Sequence, residues 1–279
     1  MGLTKPNVTQ AEKGRRLREL QERAGAFIIP NPYDAGTARL LEMLGFEALA
    51  TTSSGYAFTL GKPDYGITRE ESLAGVRLIA NAVEVPVSAD LENGFGDAPE
   101  TAAETIRLAV AAGAVGGSIE DSTREAAEPI YELSLATDRV RAAVEAARSL
   151  PFPFTLTARA ENYLHGRTNL GDTIKRLQAY EQAGADVLFA PGLTSKEDIA
   201  AVVSSVGKPV NVLMGLRGVK LSLTELSVLG VKRISVGGGL GRAALAGFLR
   251  AAREMRESGT FGFAEEAVGS FSELTRNFK

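Results

Sequence analysis

Asp90 and Glu92 close an apolar run, Val85-Pro-Val-Ser-Ala-Asp90, and Gly94 and Gly96 follow them. Read as one strand over 86–92, the period of two puts both carboxylates on the same side. Two like charges so placed repel, and a hard divalent cation with oxygen ligands offsets them. The two glycines would let the backbone turn and a ligand approach closely. The chain has no cysteine and one histidine, His165, so thiolate and multi-histidine metal sites are excluded. Mg²⁺ is therefore the expected ion, with Mn²⁺ as the alternative. Asp64, in Lys62-Pro-Asp64, and Glu120 join the acidic set, although Asp64 could simply form a turn after Pro63. Arg159 faces these acids and suits a bidentate clamp on a carboxylate or phosphonate, its rival role being a salt bridge to Glu161 or Glu120. Ser53-Ser54-Gly55 offers hydroxyls and backbone N–H groups to a developing oxyanion. These groups suit a 2-oxo acid whose enolate is stabilised while a bond at C3 is made or broken.

The elements that must position these residues repeat one pattern of helix, small residue plus Gly, then strand. It recurs at Leu44-Gly45, Ala112-Gly113, Ala183-Gly184 and Leu229-Gly230, where Gly is the C′ cap of a helix handing over to a strand. Helix starts of the S/T-x-x-E/D type stand at Thr68–Glu71, Ser195–Asp198 and Ser222–Glu225, with a related start at Asp97-Ala-Pro-Glu100. Thr9-Gln-Ala-Glu12 opens a helix over 9–25, and another spans 35–44. Strands are expected at 26–30, 46–52, 86–92, 115–120, 154–159, 186–190, 209–213 and 232–236. Eight such units imply an α/β fold, a single (β/α)₈ TIM barrel, in preference to an open doubly wound sheet. The expected layout of residues 1–279 is an N-terminal helix, a barrel over about 26–254 and a C-terminal extension over 255–279. In that extension Phe261, Phe263 and Phe271 suggest packing on another part of the molecule or another subunit.

Hydrophobic residues at 44% and charged residues at 23% fit a globular enzyme, and the net charge of −3 gives no reason to expect nucleic acid or an anionic membrane as partner. Residues 1–10 are polar and no apolar run approaches membrane-spanning length, so a cytoplasmic location is expected.

In a barrel of this kind the chemistry lies at the C-terminal ends of the strands. The motifs there, Thr52-Ser-Ser-Gly-Tyr56, Gly61-Lys-Pro-Asp64, Ala89-Asp-Leu-Glu-Asn-Gly-Phe-Gly96, Ser118-Ile-Glu-Asp121 and Thr157-Ala-Arg-Ala-Glu161, resemble the isocitrate lyase/phosphoenolpyruvate mutase family over about residues 26–250. The resemblance implies a (β/α)₈ barrel whose last helix is exchanged with a neighbouring subunit, assembled as a homodimer or homotetramer. It also implies Mg²⁺ and a 2-oxo or 2-hydroxy acid substrate, with a C–C or P–C bond cleaved or rearranged through an enolate. By the same resemblance Asp90 is the direct metal ligand, and Asp64, Glu92 and Glu120 reach the ion largely through water. Ser54, Gly55 and Tyr56 become oxyanion and carboxylate contacts, Arg159 the substrate anchor and Asn211 a further contact. Asp64, Arg159 and Ser54 form the implied catalytic set.

The loop after Glu120 departs from that pattern. The lyases carry Lys-x-Cys-Gly-His there, and the mutases and phosphonopyruvate hydrolases Lys-x-Asn-Ser. Here it reads Asp121-Ser-Thr-Arg-Glu-Ala-Ala-Glu-Pro-Ile-Tyr131, with no Cys, His or Lys to serve as acid or base. Decarboxylase, hydrolase and lyase activities on oxaloacetate-like acids all stay open, as do phosphonomutase-like chemistry and a non-catalytic binder. A second reading takes Gly237-Gly-Gly239 as a phosphate-binding turn of a barrel isomerase, or as plain helix packing. His165 reads as a surface residue, and Arg124 as either a substrate contact or a solvated side chain.

Overall fold

Thr9 and Glu12 cap each other's backbone N–H groups and so start α1 (Gln10–Glu22). In this computed structural model, which describes residues 8–267 and 278, the chain then alternates strand and helix. The strands are β1 (Phe27–Ile28), β2 (Leu49–Ala50), β3 (Val87–Asp90), β4 (Gly116–Glu120), β5 (Thr155–Arg159), β6 (Val187–Phe189), β7 (Val210–Leu213) and β8 (Arg233–Ser235). The helices that follow them are α2 (Ala35–Met43), α3 (Ser53–Thr59) and α4 (Arg69–Ala82) after β2, α5 (Pro99–Ala111), α6 (Leu133–Arg148), α7 (Leu170–Gln182), α8 (Lys196–Ser205), α9 (Leu223–Val228) and α10 (Gly239–Ser258).

All eight strands pair in parallel in the order β1-β8-β7-β6-β5-β4-β3-β2. The two outer strands meet as well: the Ala50 N–H donates to Pro30 O across 3.0 Å, and Asn31 Nδ2 donates to Thr51 O. The result is an α/β fold of the TIM-barrel type. Every expected strand is present, and all eight are shorter than expected. The strand at 86–92 ends at Asp90, because Leu91 leaves it and Glu92 takes a left-handed φ of 48°.

The handover glycines Gly45, Gly113, Gly184 and Gly230 all have φ between 85° and 102°, the αL cap their positions require. Thr68 and Ser222 form complete capping boxes and Ser195 caps α8. The start at Asp97–Glu100 differs, since Ala98 is the N-cap with Pro99 in the first turn, and the Asp97 carboxylate instead accepts from the Tyr131 hydroxyl at 2.5 Å. The apolar core lies between the sheet and the helices and includes Ile106, Ile119, Phe154, Leu177 and Tyr180. The last helix continues through residues 255–258 to Gly259, so the C-terminal extension starts later than expected. Phe261 and Phe263 lie beyond it, whereas Phe271 lies outside the described residues. No helix among the described residues is long and apolar enough to cross a membrane.

Candidate active site

Period-two alternation turns Ser88 and Asp90, Ser118 and Glu120, Thr157 and Arg159, and Arg233 and Ser235 into the barrel lumen. All of these but Thr157 line one cavity of about 350 Å³ that opens at the C-terminal ends of the strands. Asp64, Ser54 and Asn211 line it too, as do Tyr65, Glu161 and Arg242.

Arg159 is the hub of the cluster. Its Nη1 donates to Asp90 Oδ1 at 3.0 Å and lies 3.1 Å from Glu120 Oε2, while its Nε donates to Glu161 Oε1 at 2.9 Å. Burial opposes the guanidinium charge, but Glu120, Glu161 and Asp90 together hold its pKa well above the ordinary value. Asp90 Oδ2 also accepts from the Ser53 backbone N–H and hydroxyl, both at 3.0 Å. Burial pushes the carboxyl groups of Asp64, Glu120 and Glu161 upward, and neighbouring acids add to the shift. Glu161 Oε2 is buried without a partner. Several carboxylates in one pocket and an orphaned carboxylate oxygen fit a hard cation. Among the described residues, however, no three acidic side chains are grouped so as to hold an ion between them. Mg²⁺ often binds through one or two carboxylates and keeps several waters, which suits this spacing.

Glu92 stands apart from the other acids. It is 1% exposed, does not line the cavity, and pairs with Arg124 from the loop after β4. Burial raises its pKa to about 8 despite that arginine, with Asp90 and Glu120 adding to the rise. The side-by-side arrangement with Asp90 fails because the strand ends before Glu92. Gly94 and Gly96 do not line the cavity either: Gly94, at φ 80°, makes the turn, and a Cβ on Gly96 would meet Thr101 at 2.7 Å.

Beside Asp90, Thr52 caps α3, whose first residue is Ser53. The Gly55 N–H is spent on Thr52 Oγ1 (3.3 Å), whereas Ser54 Oγ, 3.2 Å from the same hydroxyl, reaches the cavity. The Tyr56 ring does not reach it. It packs over Gly75 of α4, where even a Cβ would come within 2.9 Å. Asn211 is in the lumen, but its Nδ2 donates to Ser235 Oγ and its Oδ1 accepts from Arg233.

The loop after Glu120 is fastened at its base. Asp121 accepts from the Glu161 N–H, Arg176 Nη1 and the Tyr180 hydroxyl, so it serves the framework and not the cavity. His165 is half-buried with Nε2 3.2 Å from Ser122 Oγ, outside the cavity. The Gly237–Gly239 turn has little left to offer a phosphate, because Asn31 Oδ1 takes the N–H groups of Val236 (2.8 Å) and Gly237 (2.9 Å).

Three participants escaped the sequence reading. Tyr65 donates its hydroxyl to Glu120 Oε1 at 2.9 Å from a left-handed φ of 59°. Nothing in a lone loop tyrosine signals this. Glu161 was legible only as a partner of Arg159. Arg233 was within reach, since alternation in 232–236 puts it on the same face as Ser235. Tyr65, Glu92, Phe95 and Arg124, four non-glycine residues with positive φ, gather at the Arg124 guanidinium, which pairs with Glu92 and lies over the Tyr65 and Phe95 rings; of the four only Tyr65 lines the cavity.

The chain is similar to several known proteins. An oxaloacetate decarboxylase of Bradyrhizobium sp. (strain BTAi1) is 32% identical over 211 residues, covering 73% of this chain and 70% of its own. A crystal structure from Burkholderia cenocepacia J2315, provisionally described as a lyase/mutase, is 63% identical with a TM-score of 0.94 over 96% of each chain. Oxaloacetate acetylhydrolase in complex with its product oxalate is 25% identical, with a TM-score of 0.86 over 95% of this chain and 93% of that one. The family pattern described as phosphoenolpyruvate phosphomutase matches residues 17–256, and with it the strands, the carboxylate cluster and its arginine: the chain belongs to that family, within the PEP mutase/isocitrate lyase superfamily.

Proposed function

We propose that this chain is an Mg²⁺-dependent lyase-type enzyme that makes or breaks a C–C (or P–C) bond of a small 2-oxo or 2-hydroxy acid through an enolate. The observation that carries the reading is the sharing of Arg159 by Asp90, Glu120 and Glu161 on the wall of a cavity that Ser54 also lines. Asp90 and Glu120 would hold the ion, with Asp64 and Glu161 reaching it through water and Glu92 behind them. A bound Mg²⁺ (or Mn²⁺) would supply Lewis-acid charge beside the 2-oxo oxygen. Arg159 would exchange part of its carboxylate bonding for the substrate carboxylate, which fixes the acid's orientation. The Ser54 hydroxyl faces the developing oxyanion, while Gly55 and Tyr56 support its helix from outside the cavity. Tyr65 keeps its hydroxyl proton on Glu120, inside the cavity, where the loop after β4 brings no cysteine, histidine or lysine. That set supports oxaloacetate-type decarboxylation, hydrolysis or lysis over the cysteine-dependent route. The phosphate-binding isomerase reading draws little support from the Gly237–Gly239 turn, where the Gly237 N–H is taken by Asn31 and that of Gly239 by the Val236 carbonyl.

We also assign the chain a closed (β/α)₈ barrel, acting in the cytoplasm as a homodimer or homotetramer that exchanges α10 between subunits. The support is the outer stripe of that helix, Leu245, Phe248, Leu249 and Met255, each at least 41% exposed.

Thermal melting with Mg²⁺ and oxalate tests the site. At a hundredfold excess over Kd the midpoint should rise by about 5–10 °C, and Asp90→Ala should abolish the rise. No rise in the wild-type chain, or an undiminished one in Asp90→Ala, sinks the assignment.

A further inference from the structure

Arg233 is a charge buried in the lumen that no acid neutralises. It is 4% exposed and opens β8, one inward-facing position deeper than Ser235 and in register with Asn211. Its guanidinium reaches across the lumen. Nε donates to Asn211 Oδ1 on β7 at 2.9 Å and Nη2 to Thr157 Oγ1 on β5 at 3.0 Å, both neutral oxygens. Nη1 is buried and has no partner. Arg159 and Arg176 bond to carboxylates, whereas Arg233 forms no ion pair among the described residues. Burial and then repulsion from Arg159 lower its pKa to about 9.

A buried guanidinium with an unmet donor is costly, and neutral oxygens return only part of that cost. Such a group persists where an anion completes it. The surroundings fit this, because Arg233 lines the cavity together with Ser88, Ser118, Asn211 and Ser235, so its floor carries hydroxyls and an amide but no acid. Asp90 and Glu120 end their strands one inward-facing position nearer the mouth than Ser88 and Ser118.

We propose that Arg233 forms a second anion subsite on the cavity floor, which takes one carboxylate of a short dicarboxylic 2-oxo acid whose other end lies among Asp90, Arg159 and Ser54. The ligand's identity rests on the function proposed above; the anion subsite rests on the lumen geometry alone. Arg233 therefore sets a preference for dianionic over monoanionic acids.

Titration calorimetry on the full chain at fixed Mg²⁺ compares pyruvate, with one carboxylate, and 3,3-difluorooxaloacetate, with two. The wild type should bind the dianion at least about tenfold more tightly. In Arg233→Gln that ratio should fall towards one while pyruvate affinity stays within about threefold, and Arg233→Lys should keep most of the preference. An unchanged ratio in Arg233→Gln, or equal losses for both acids, overturns the proposal. If Arg233→Gln does not fold, retention of the preference by Arg233→Lys is judged together with bromide-soaked crystals of the wild type. Anomalous scattering from a bromide within hydrogen-bond reach of Nη1 supports the subsite, and bromide elsewhere but not there overturns it. Binding of neither acid to the wild type counts against the proposed function, and the bromide result then decides the floor site by itself.

Discussion

Glu92 illustrates what single residues decide here. Burial outweighs the help its carboxylate gets from Arg124, and Asp90 and Glu120 add to the effect, pushing its pKa up to about 8. A carboxyl with a raised folded pKa binds more protons folded than unfolded, so its contribution to stability falls as pH rises through the window from about 4.5 to about 8. Glu120 and Glu161 shift in the same direction. The thermal midpoint of the metal-free chain should therefore drop across that window, and Glu92→Gln should flatten the drop. A slope equally steep in Glu92→Gln would contradict the assignment. At this scale the sequence was read well for type and less well for direction. The acids, Arg159 and Ser54 meet where the strand ends placed them. Tyr56 and Gly55 miss the cavity because a capped helical turn points them elsewhere, and Glu92 misses it because one left-handed residue redirects its side chain. Backbone departures of that kind leave no periodic trace.

Among the elements, α6 has a task beyond packing. Arg139 sends Nη1 to the carbonyls of Gly96 (2.6 Å) and Asp97 and Nη2 to that of Asn93, while its guanidinium stacks 4.4 Å from the Tyr131 ring centroid. Those carbonyls belong to the turn that carries Glu92 from β3 into α5. Arg139→Leu should leave them without a donor and cost about 3 kcal/mol of unfolding free energy in urea titration, with weaker Mg²⁺/oxalate binding. A loss below about 1 kcal/mol with intact binding would show that the turn holds itself. Helix starts and stops were legible because Thr68, Ser195, Ser222 and the handover glycines act locally. The start at Asp97-Ala-Pro-Glu100 was legible too, with Pro99 in the first turn, but Ala98 is its N-cap because a distant hydroxyl, that of Tyr131, claims the Asp97 carboxylate.

For the whole molecule, eight repeats of one unit made the architecture readable, since eight parallel strands of this length pair off in a single order. The repeats do not say where α10 goes. Its one fully buried residue is Gly241, which sits near Tyr33 and Gly55, and Phe248 beyond it is 68% exposed. This apolar stripe is the basis of the assembly proposed above. Phe248→Glu should reduce the particle mass measured by light scattering while far-ultraviolet dichroism stays unchanged. A wild-type monomer at micromolar concentration would rule out the assembly.

The loop after β4 is tied to the barrel at its two ends, by Asp121 on one side and by Ile130, paired with Ser122, and Tyr131 on the other, while Glu125 to Glu128 lie exposed between them. Residues in that span can be exchanged without disturbing a core contact or the lumen. On the proposed function, the barrel hands down the substrate pocket as a fixed inheritance, while this short exposed span is free to drift over evolutionary time without touching it.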